Sequence, residues 1–127
     1  MGCERNCDPD ELIKLVDETL AAAGLSLASV AVVTSIDLKM DEAAVHAVAT
    51  HLGVVAHYFD APRLDAETPR LKNPSEIVFR EVGTHGVAEA AALAAAGPDS
   101  ELAVAKHKSA RATCAVARGT NIEPANI

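Results

Sequence analysis

The sequence predicts an α/β protein: a three-layer α/β/α sandwich with a mixed, mostly parallel sheet of about five strands, ending in an antiparallel hairpin. Three observations favour this fold class. Strand-like and helix-like segments alternate along most of the chain, which is typical of helices packed on a parallel sheet. The run Val30–Ile36 is β-branched and almost continuously apolar, as expected for a central strand covered on both faces. Two short strands flank the basic stretch KHKSAR and predict the hairpin.

The first two helices are predicted from their end signals. Residues 9–23 are expected to form the first helix, because Asp8 can cap it and Pro9 suits its first position. Asp41 is expected to cap the second helix, and Gly53 is expected to end it.

Shorter segments complete the alternation. Ser75 can cap a short helix that Gly83 ends, and Gly86 is expected to be the N-cap of the alanine-rich helix that follows. The remaining predictions are a strand over residues 54–59, a helical turn over 62–67, helices over 75–82 and 86–96, strands over 102–105 and 112–117, and a loose tail from about residue 119.

Length and composition predict one domain over residues 1–127. A chain of 127 residues can bury roughly two thirds of its unfolded surface in one core. The hydrophobic fraction is 50% and the aromatic fraction only 2%, so the core must be built from small and branched aliphatic side chains. Helices are therefore expected to approach the sheet closely.

The charge distribution excludes several classes of function. A net charge of -7 disfavours nucleic-acid and anionic-membrane partners, and without a long apolar run the expectation is a soluble, cytoplasmic protein. Three cysteines, an odd number, are expected to be reduced thiols, and Cys3 and Cys7 lack the second ligand pair of a familiar zinc site. Neither a metal nor a cofactor is expected.

Glu89 is the single carboxylate at the start of the alanine-rich helix. One interpretation is structural: counted from Gly86 as N-cap, Glu89 can reach back to the cap N–H and favour the positive helix end. The other is functional: Gly83, Thr84 and Gly86 leave backbone N–H groups open to a ligand, with Glu89 as an acceptor or general base.

Two further segments can bind an anionic ligand. Lys39, Asp41 and Glu42 follow the predicted central strand, where ligands gather in open α/β sheets, although Lys39 can instead pair with one of these acids. The hairpin tip is the second segment, because the stretch 102–122 contains no acidic residue. Lys106, Lys108 and Ser109 are the candidate contacts there, and a solvated edge is the alternative.

Several segments in this order resemble the CobE / CbiG C-terminal family of cobalamin biosynthesis. They are GCERNC, SIDLKMDEAAV, LGV with YFDAPRL, NPSEIVFREVGTHGVAEAAALAAAG and LAVAKHKSARATCAVARG. The chain departs from the family pattern at Asn6, where glycine is common, and at Gly86, where serine is frequent. The family's strand before the Gly-Cys pair is expected to be rudimentary or absent here.

The resemblance implies an α/β/α domain that acts on, or holds, a ring-contracted corrin precursor (a precorrin). Fused members of the family are cobalt-precorrin-5A hydrolases, which open a δ-lactone and release acetaldehyde, and this chain resembles the stand-alone kind. Lys39, Lys106 and Lys108 suit the carboxylates on the rim of a corrin precursor. The implied substrate-binding residues are Cys3, Lys39, Asp41, Gly83, Thr84, Gly86, Lys106, Lys108 and Ser109.

Three functions follow from these expectations. The first is a cobalamin biosynthesis protein that binds a precorrin and assists its processing or transfer. The second is a lactone hydrolase with Glu42 or Glu89 as the general base. The third is a non-catalytic interaction module that docks onto another enzyme of the pathway.

Overall fold

A computed structural model describes residues 1–119 and 125–127. Within these residues the fold is a six-stranded sheet with five α-helices. The strands are β1 (Gly2–Cys3), β2 (Val30–Ile36), β3 (Ala56–Phe59), β4 (Glu101–Lys108), β5 (Ala112–Arg118) and β6 (Ala125–Asn126). The helices are α1 (Pro9–Ala22), α2 (Ala43–Leu52), α3 (Ala61–Asp65), α4 (Glu76–Val82) and α5 (Ala88–Ala96), with single 3₁₀ turns at Leu27–Ser29, Asp37–Lys39 and Thr68–Arg70.

Strand direction explains why one edge of the sheet collects the site. β5 pairs antiparallel with β1, β4 and β6, whereas β2 pairs parallel with β6 and β3. β1, β2, β3, β4 and β6 therefore run in one direction and β5 runs against them, which confirms the mixed sheet with parallel strands and its antiparallel hairpin. The carboxyl ends of β1, β2 and β4 consequently meet at the same edge.

Two separate hydrophobic clusters show that helices cover both faces of the sheet. On one face, α1 and α2 pack on β2 and β5 through Leu12, Val16, Val45 and Val116, which are fully buried. On the other face, Ile36 of β2 packs with the buried alanines of α5 and with α3. The alanine-rich helix lies close to the sheet, as its small side chains predict.

Most predicted elements are confirmed, with end corrections of one to three residues, the largest at β4, which ends at Lys108 instead of residue 105. The Asp8 carboxylate caps α1 by accepting a hydrogen bond from the Asp10 N–H at 2.9 Å. The Ser75 hydroxyl likewise accepts from the Val78 N–H and caps α4. Gly83 ends α4 with φ 84°, a left-handed conformation that glycine adopts without steric cost. β3 begins at Ala56, two residues later than predicted.

Two predicted caps are wrong. Glu42, not Asp41, precedes the first residue of α2, and its side chain forms no capping hydrogen bond. Gly86 does not cap α5: the helix begins at Ala88 after Val87. The local reason is a turn in which the Thr84 hydroxyl donates to the Gly86 carbonyl oxygen at 3.2 Å. This turn keeps Gly86 outside the helix.

The two chain ends meet in the middle of the sheet. β1 is present as a two-residue strand, and the Met1 nitrogen donates to the Thr34 carbonyl of β2 at 2.7 Å. The predicted loose tail is wrong for residues 125–127, because β6 pairs with β2 and β5 and Ile127 is fully buried. The rest of that prediction falls on residues 120–124, outside the described residues. Among the described residues, none of the helices is long and apolar enough to cross a membrane.

Candidate functional site

A cleft of about 460 Å³ lies at the sheet edge where the carboxyl ends of β1, β2 and β4 meet, beside the start of α5. Ligands of open α/β sheets bind at this edge, and the volume falls within the usual range for small-molecule sites. Much of its lining is apolar. These apolar residues are Ile36, Val78, Val82, Val87, Ala88, Ala110 and Ala112.

The same cleft concentrates basic side chains in an acidic protein. Its basic lining residues are Arg5, Lys39, Lys106, Lys108 and Arg111, and its acidic ones are Glu4, Glu81 and Glu89. Since the whole chain carries a net charge of -7, the cleft is locally cationic against an acidic background. Such an excess attracts an anionic ligand.

Most of the predicted site residues come together here. Cys3, Lys39, Gly86, Glu89, Lys106, Lys108 and Ser109 line the cleft. Asp41 and Glu42 line a smaller neighbouring hollow, which shares Arg5 with the cleft. Gly83 and Thr84 line neither: Gly83 ends α4, and the buried Thr84 side chain is bonded within its own loop.

The lysines reach the cleft from separated strands. Lys106 and Lys108 lie on β4, and Lys39 follows β2, with β5 and β6 between these strands. Three strand spacings of about 4.8 Å separate β4 from β2 by roughly 14 Å. The cations are therefore arranged to hold an extended ligand at several points.

Glu89 is a buried carboxylate that joins three segments around the cleft. Its side chain accepts hydrogen bonds from the backbone N–H groups of Lys72, Asn73 and Lys106 and from the Asn73 amide, at 2.9 to 3.0 Å. Burial would raise the pKa of Glu89, but the hydrogen bond from Lys106 and those from Asn73 and Lys72 outweigh it and hold the pKa below its usual value. The predicted contact with its own helix cap is wrong, and these contacts favour a structural carboxylate over a general base.

Glu42 is the second buried carboxylate near the cleft. Its oxygens accept the Asn6 backbone N–H at 3.1 and 3.3 Å, and the Lys39 ammonium lies 4.0 Å from one of them. The ion pair between Lys39 and Glu42 is one of the two pairings that the sequence leaves open. Glu42 thereby fastens the loop after β1 to the start of α2.

The hairpin tip is fixed by an acid from α1. The Glu11 carboxylate accepts hydrogen bonds from the Ser109 hydroxyl and from the Arg111 backbone N–H. The Ser109 contact and then the Arg111 contact lower the pKa of Glu11. Ser109 therefore lies in the cleft with its hydroxyl already donated to a protein partner.

Sequence reasoning missed the histidine at the cleft. His85 Nδ1 lies 2.7 Å from an Asp65 oxygen, and His85 Nε2 lies 3.3 Å from Glu76. The Phe79 ring stacks on the imidazole at a centroid distance of 4.3 Å. Hydrogen bonding to Asp65 raises the pKa of His85. A histidine between a threonine and a glycine carries no periodic signal, and Asp65 lies on α3, 20 residues earlier, so the pair could not be found from spacing.

Cys3 lies at the end of β1 and lines the cleft as a free thiol. Burial raises its pKa, and the nearby Lys39 only partly opposes this effect. Cys3 is therefore a neutral thiol near pH 7 rather than an activated nucleophile. Among residues 1–119 and 125–127, no cluster of three or more His, Cys, Asp or Glu side chains is arranged to hold a metal ion.

Comparisons with known proteins identify the family of the chain. The family model described as "Cobalamin synthesis G C-terminus" matches residues 1–117. "Protein CobE" of Sinorhizobium sp. is 47% identical over 117 residues, which cover 92% of this chain and 76% of that protein. "Cobalt-precorrin-5A hydrolase" of Priestia megaterium is 34% identical over 117 residues, and the matched part is 92% of this chain but only 30% of that protein.

A solved structure shows the same fold. The crystal structure of CobE, described as a protein from the cobalamin (vitamin B12) biosynthetic pathway, aligns with a TM-score of 0.85 and 40% identity, covering 92% of this chain and 85% of that one. Fold, sequence and family model thus agree over nearly the whole chain. The chain belongs to the CobE / CbiG C-terminal family and is a cobalamin biosynthesis protein.

Proposed function

We propose that the cleft binds a ring-contracted corrin precursor and that the protein assists the processing or transfer of this precorrin. Such a ligand is a large, mostly apolar macrocycle with carboxylate side chains around its rim. The observation that carries the proposal is that Lys39, Lys106 and Lys108 line one cleft with an apolar lining. Arg5 and Arg111 were not predicted from the sequence as site residues. They add two more cations to the lining of the cleft.

Charge complementarity supplies the affinity in this proposal. A hydrogen bond to a charged group contributes about 1.5 to 3 kcal/mol, and a partly enclosed cleft weakens screening by water. The apolar lining removes macrocycle surface from water. The Gly86 backbone N–H and the Cys3 thiol are further contacts in the proposed site, and Asp41 of the neighbouring hollow belongs to its border.

The test is a titration of the purified chain with a ring-contracted precorrin, followed by the ligand's visible absorption. We expect a spectral shift that weakens with added salt, because the contacts are ionic. Replacing both Lys106 and Lys108 by alanine should lower the affinity about a hundredfold, at roughly 1.4 kcal/mol for each lysine. Lys14→Ala is the matched control, since Lys14 lies on α1 and pairs with Glu18 at an exposed position.

No complex at micromolar protein would overturn the proposal. If the chain instead co-elutes with a corrin-ring methyltransferase and no ligand changes that association, the interaction module explains the protein better. If the Lys106 and Lys108 double variant and the Lys14→Ala control lose equal affinity for the precorrin, the cleft is not the binding site.

A second candidate function is hydrolysis of the lactone in a precorrin-5A-like intermediate. The 34% identity to a cobalt-precorrin-5A hydrolase over 117 residues favours this second function. Release of acetaldehyde from the precursor is the measurement. If release persists when Glu42 and Glu89 are both replaced by Gln, neither carboxylate is the general base. Binding without release would leave the transfer function alone.

A further inference from the structure

The β4 strand changes its facing pattern just before its basic residues. Val104 pairs with Val116 and packs in the α1 and α2 core. In a regular strand, residues two apart share a face, so Lys106 would lie on the α1 side with Val104. The register shifts between Val104 and His107, and pairing resumes with His107 opposite Cys114.

This shift puts Lys106 on the other face. Cys114 packs in the α1 and α2 core, and residues opposite each other in a sheet share a face. His107 therefore lies on the α1 side, while Lys106 and Lys108 line the cleft. A β-bulge commonly re-aims a side chain in this way.

Glu89 binds the backbone at the bulge. One of its oxygens accepts the Lys106 N–H at 2.9 Å and the Asn73 side-chain amide at 2.9 Å. The other accepts the N–H groups of Lys72 and Asn73. β4 is an edge strand that pairs with β5 on one side, so this carboxylate occupies a backbone donor that the ladder leaves open.

The hydrogen bonds of Glu89 leave the positive charge of Lys106 available to a ligand in the cleft. All the donors to Glu89 are uncharged N–H groups, and the side chain is only 2% exposed. Within the part of the chain that the structure describes, neither Lys106 nor Lys108 forms an ion pair. The carboxylate thus holds the backbone of Lys106 without neutralising its ammonium group.

We propose that Glu89 is a positioning residue that holds the β4 bulge through the Lys106 N–H, so that the Lys106 side chain faces the cleft. The proposal rests on the anion-binding function proposed above. It assigns Glu89 an effect on affinity that operates through another residue, not through contact with the ligand.

A double-mutant cycle on affinity tests this role. The probe is a stable corrin polycarboxylate made by hydrolysing the side-chain amides of vitamin B12, titrated into wild type, Glu89→Gln, Lys106→Ala and the double variant. We expect Glu89→Gln to lower affinity about tenfold in the wild-type background and about twofold or less when Lys106 is already alanine. A tenfold loss in both backgrounds would overturn the proposal.

Glu81→Gln is the matched control, because Glu81 lines the same cleft. Removing a negative charge from an anion-binding cleft should raise the affinity. Glu89→Gln removes the same charge, so a loss of affinity there has the opposite sign to the simple electrostatic effect. If both variants tighten binding equally, Glu89 acts only as a charge.

Hydrogen exchange provides a second measurement that needs neither a ligand nor a substitution at Glu89. The Lys106 amide should be protected although it lies on an edge strand, and Asn73→Ala should reduce that protection by removing a neighbouring donor. An unprotected Lys106 amide overturns the proposal even if Glu89→Gln fails to fold. If wild type binds no corrin while the amide is protected, the anion-binding function fails and the bulge contact stands as structure alone, which also overturns the positioning role.

Discussion

The two sides of the cleft use a buried carboxylate differently. On the hairpin side, Glu89 accepts uncharged N–H donors, and the ammonium group of Lys106 is left to face the cleft. On the β2 side, Glu42 lies 4.0 Å from the Lys39 ammonium itself. An acid that binds a lysine's backbone orients the cation without neutralising it, whereas an acid beside the ammonium competes with any anionic ligand for it.

The largest expected difference between the two sides is in ligand affinity. Lys106→Ala should weaken corrin binding about tenfold, since it removes an unpaired cation. Lys39→Ala should weaken it only about threefold, because a bound carboxylate must first displace Glu42 from Lys39. Absorption titrations at low salt measure both. A larger loss for Lys39 than for Lys106 would show that the β2 side dominates recognition.

The convergence of the lysines could be predicted because it follows from strand direction. Lys39 follows an apolar central strand, and Lys106 and Lys108 end a strand that runs the same way, so a general rule about carboxyl ends brings them to one edge. Ser75 and Gly83 likewise mark α4 by local chemistry. Signals of this kind lie within a few residues of the element that they define.

The contacts of Glu89 could not be predicted for the opposite reason. Its partners Lys72 and Lys106 are each 17 residues away, in a connector and in an irregular strand. The bulge in β4 has no pattern that distinguishes it from a regular strand. The start of α5 shifts because of the side-chain contact inside the turn from Thr84 to Gly86. β6 was missed because two paired residues are too few to show periodicity.

A smaller effect is expected at Asn6, which ties the β2 side to the loop after β1. Asn6 has φ 61°, and its N–H donates to Glu42. Asn6→Ala should destabilise the fold by about 1 kcal/mol, because a left-handed conformation is unfavourable for a residue with a Cβ and no local hydrogen bond. Asn6→Gly should stay within about 0.5 kcal/mol of wild type. Urea unfolding compares the two, and equal stability of the alanine and glycine variants would contradict a backbone cause.

The smallest expected effect concerns pH, which should change the contacts of His85 but not those of Glu89 near neutrality. Hydrogen bonding to Asp65 raises the pKa of His85 above its ordinary 6.5, and the hydrogen bond from His85, with that from Thr68, lowers the pKa of Asp65 below its ordinary 3.8. Because the pKa of His85 is raised in the folded state, its interaction stabilises the fold fully below pH 6.5. This stabilisation is lost as the pH rises through the pKa that His85 has in the folded protein. Because the pKa of Asp65 is lowered in the folded state, its interaction stabilises the fold above pH 3.8. This stabilisation is lost as the pH falls through the pKa that Asp65 has in the folded protein.

The pair of His85 and Asp65 should therefore stabilise the fold most between pH 3.8 and pH 6.5, the ordinary pKa values of the two groups, and lose its effect toward alkaline pH. His85→Asn should lower the urea midpoint at mildly acidic pH, with a difference from wild type that shrinks as the pH becomes alkaline. His107→Asn is the control, because His107 lies exposed on the β4 face away from the cleft. A difference that grows with pH would mean that the neutral imidazole, through its stacking on Phe79, stabilises this part of the cleft rather than the ion pair with Asp65.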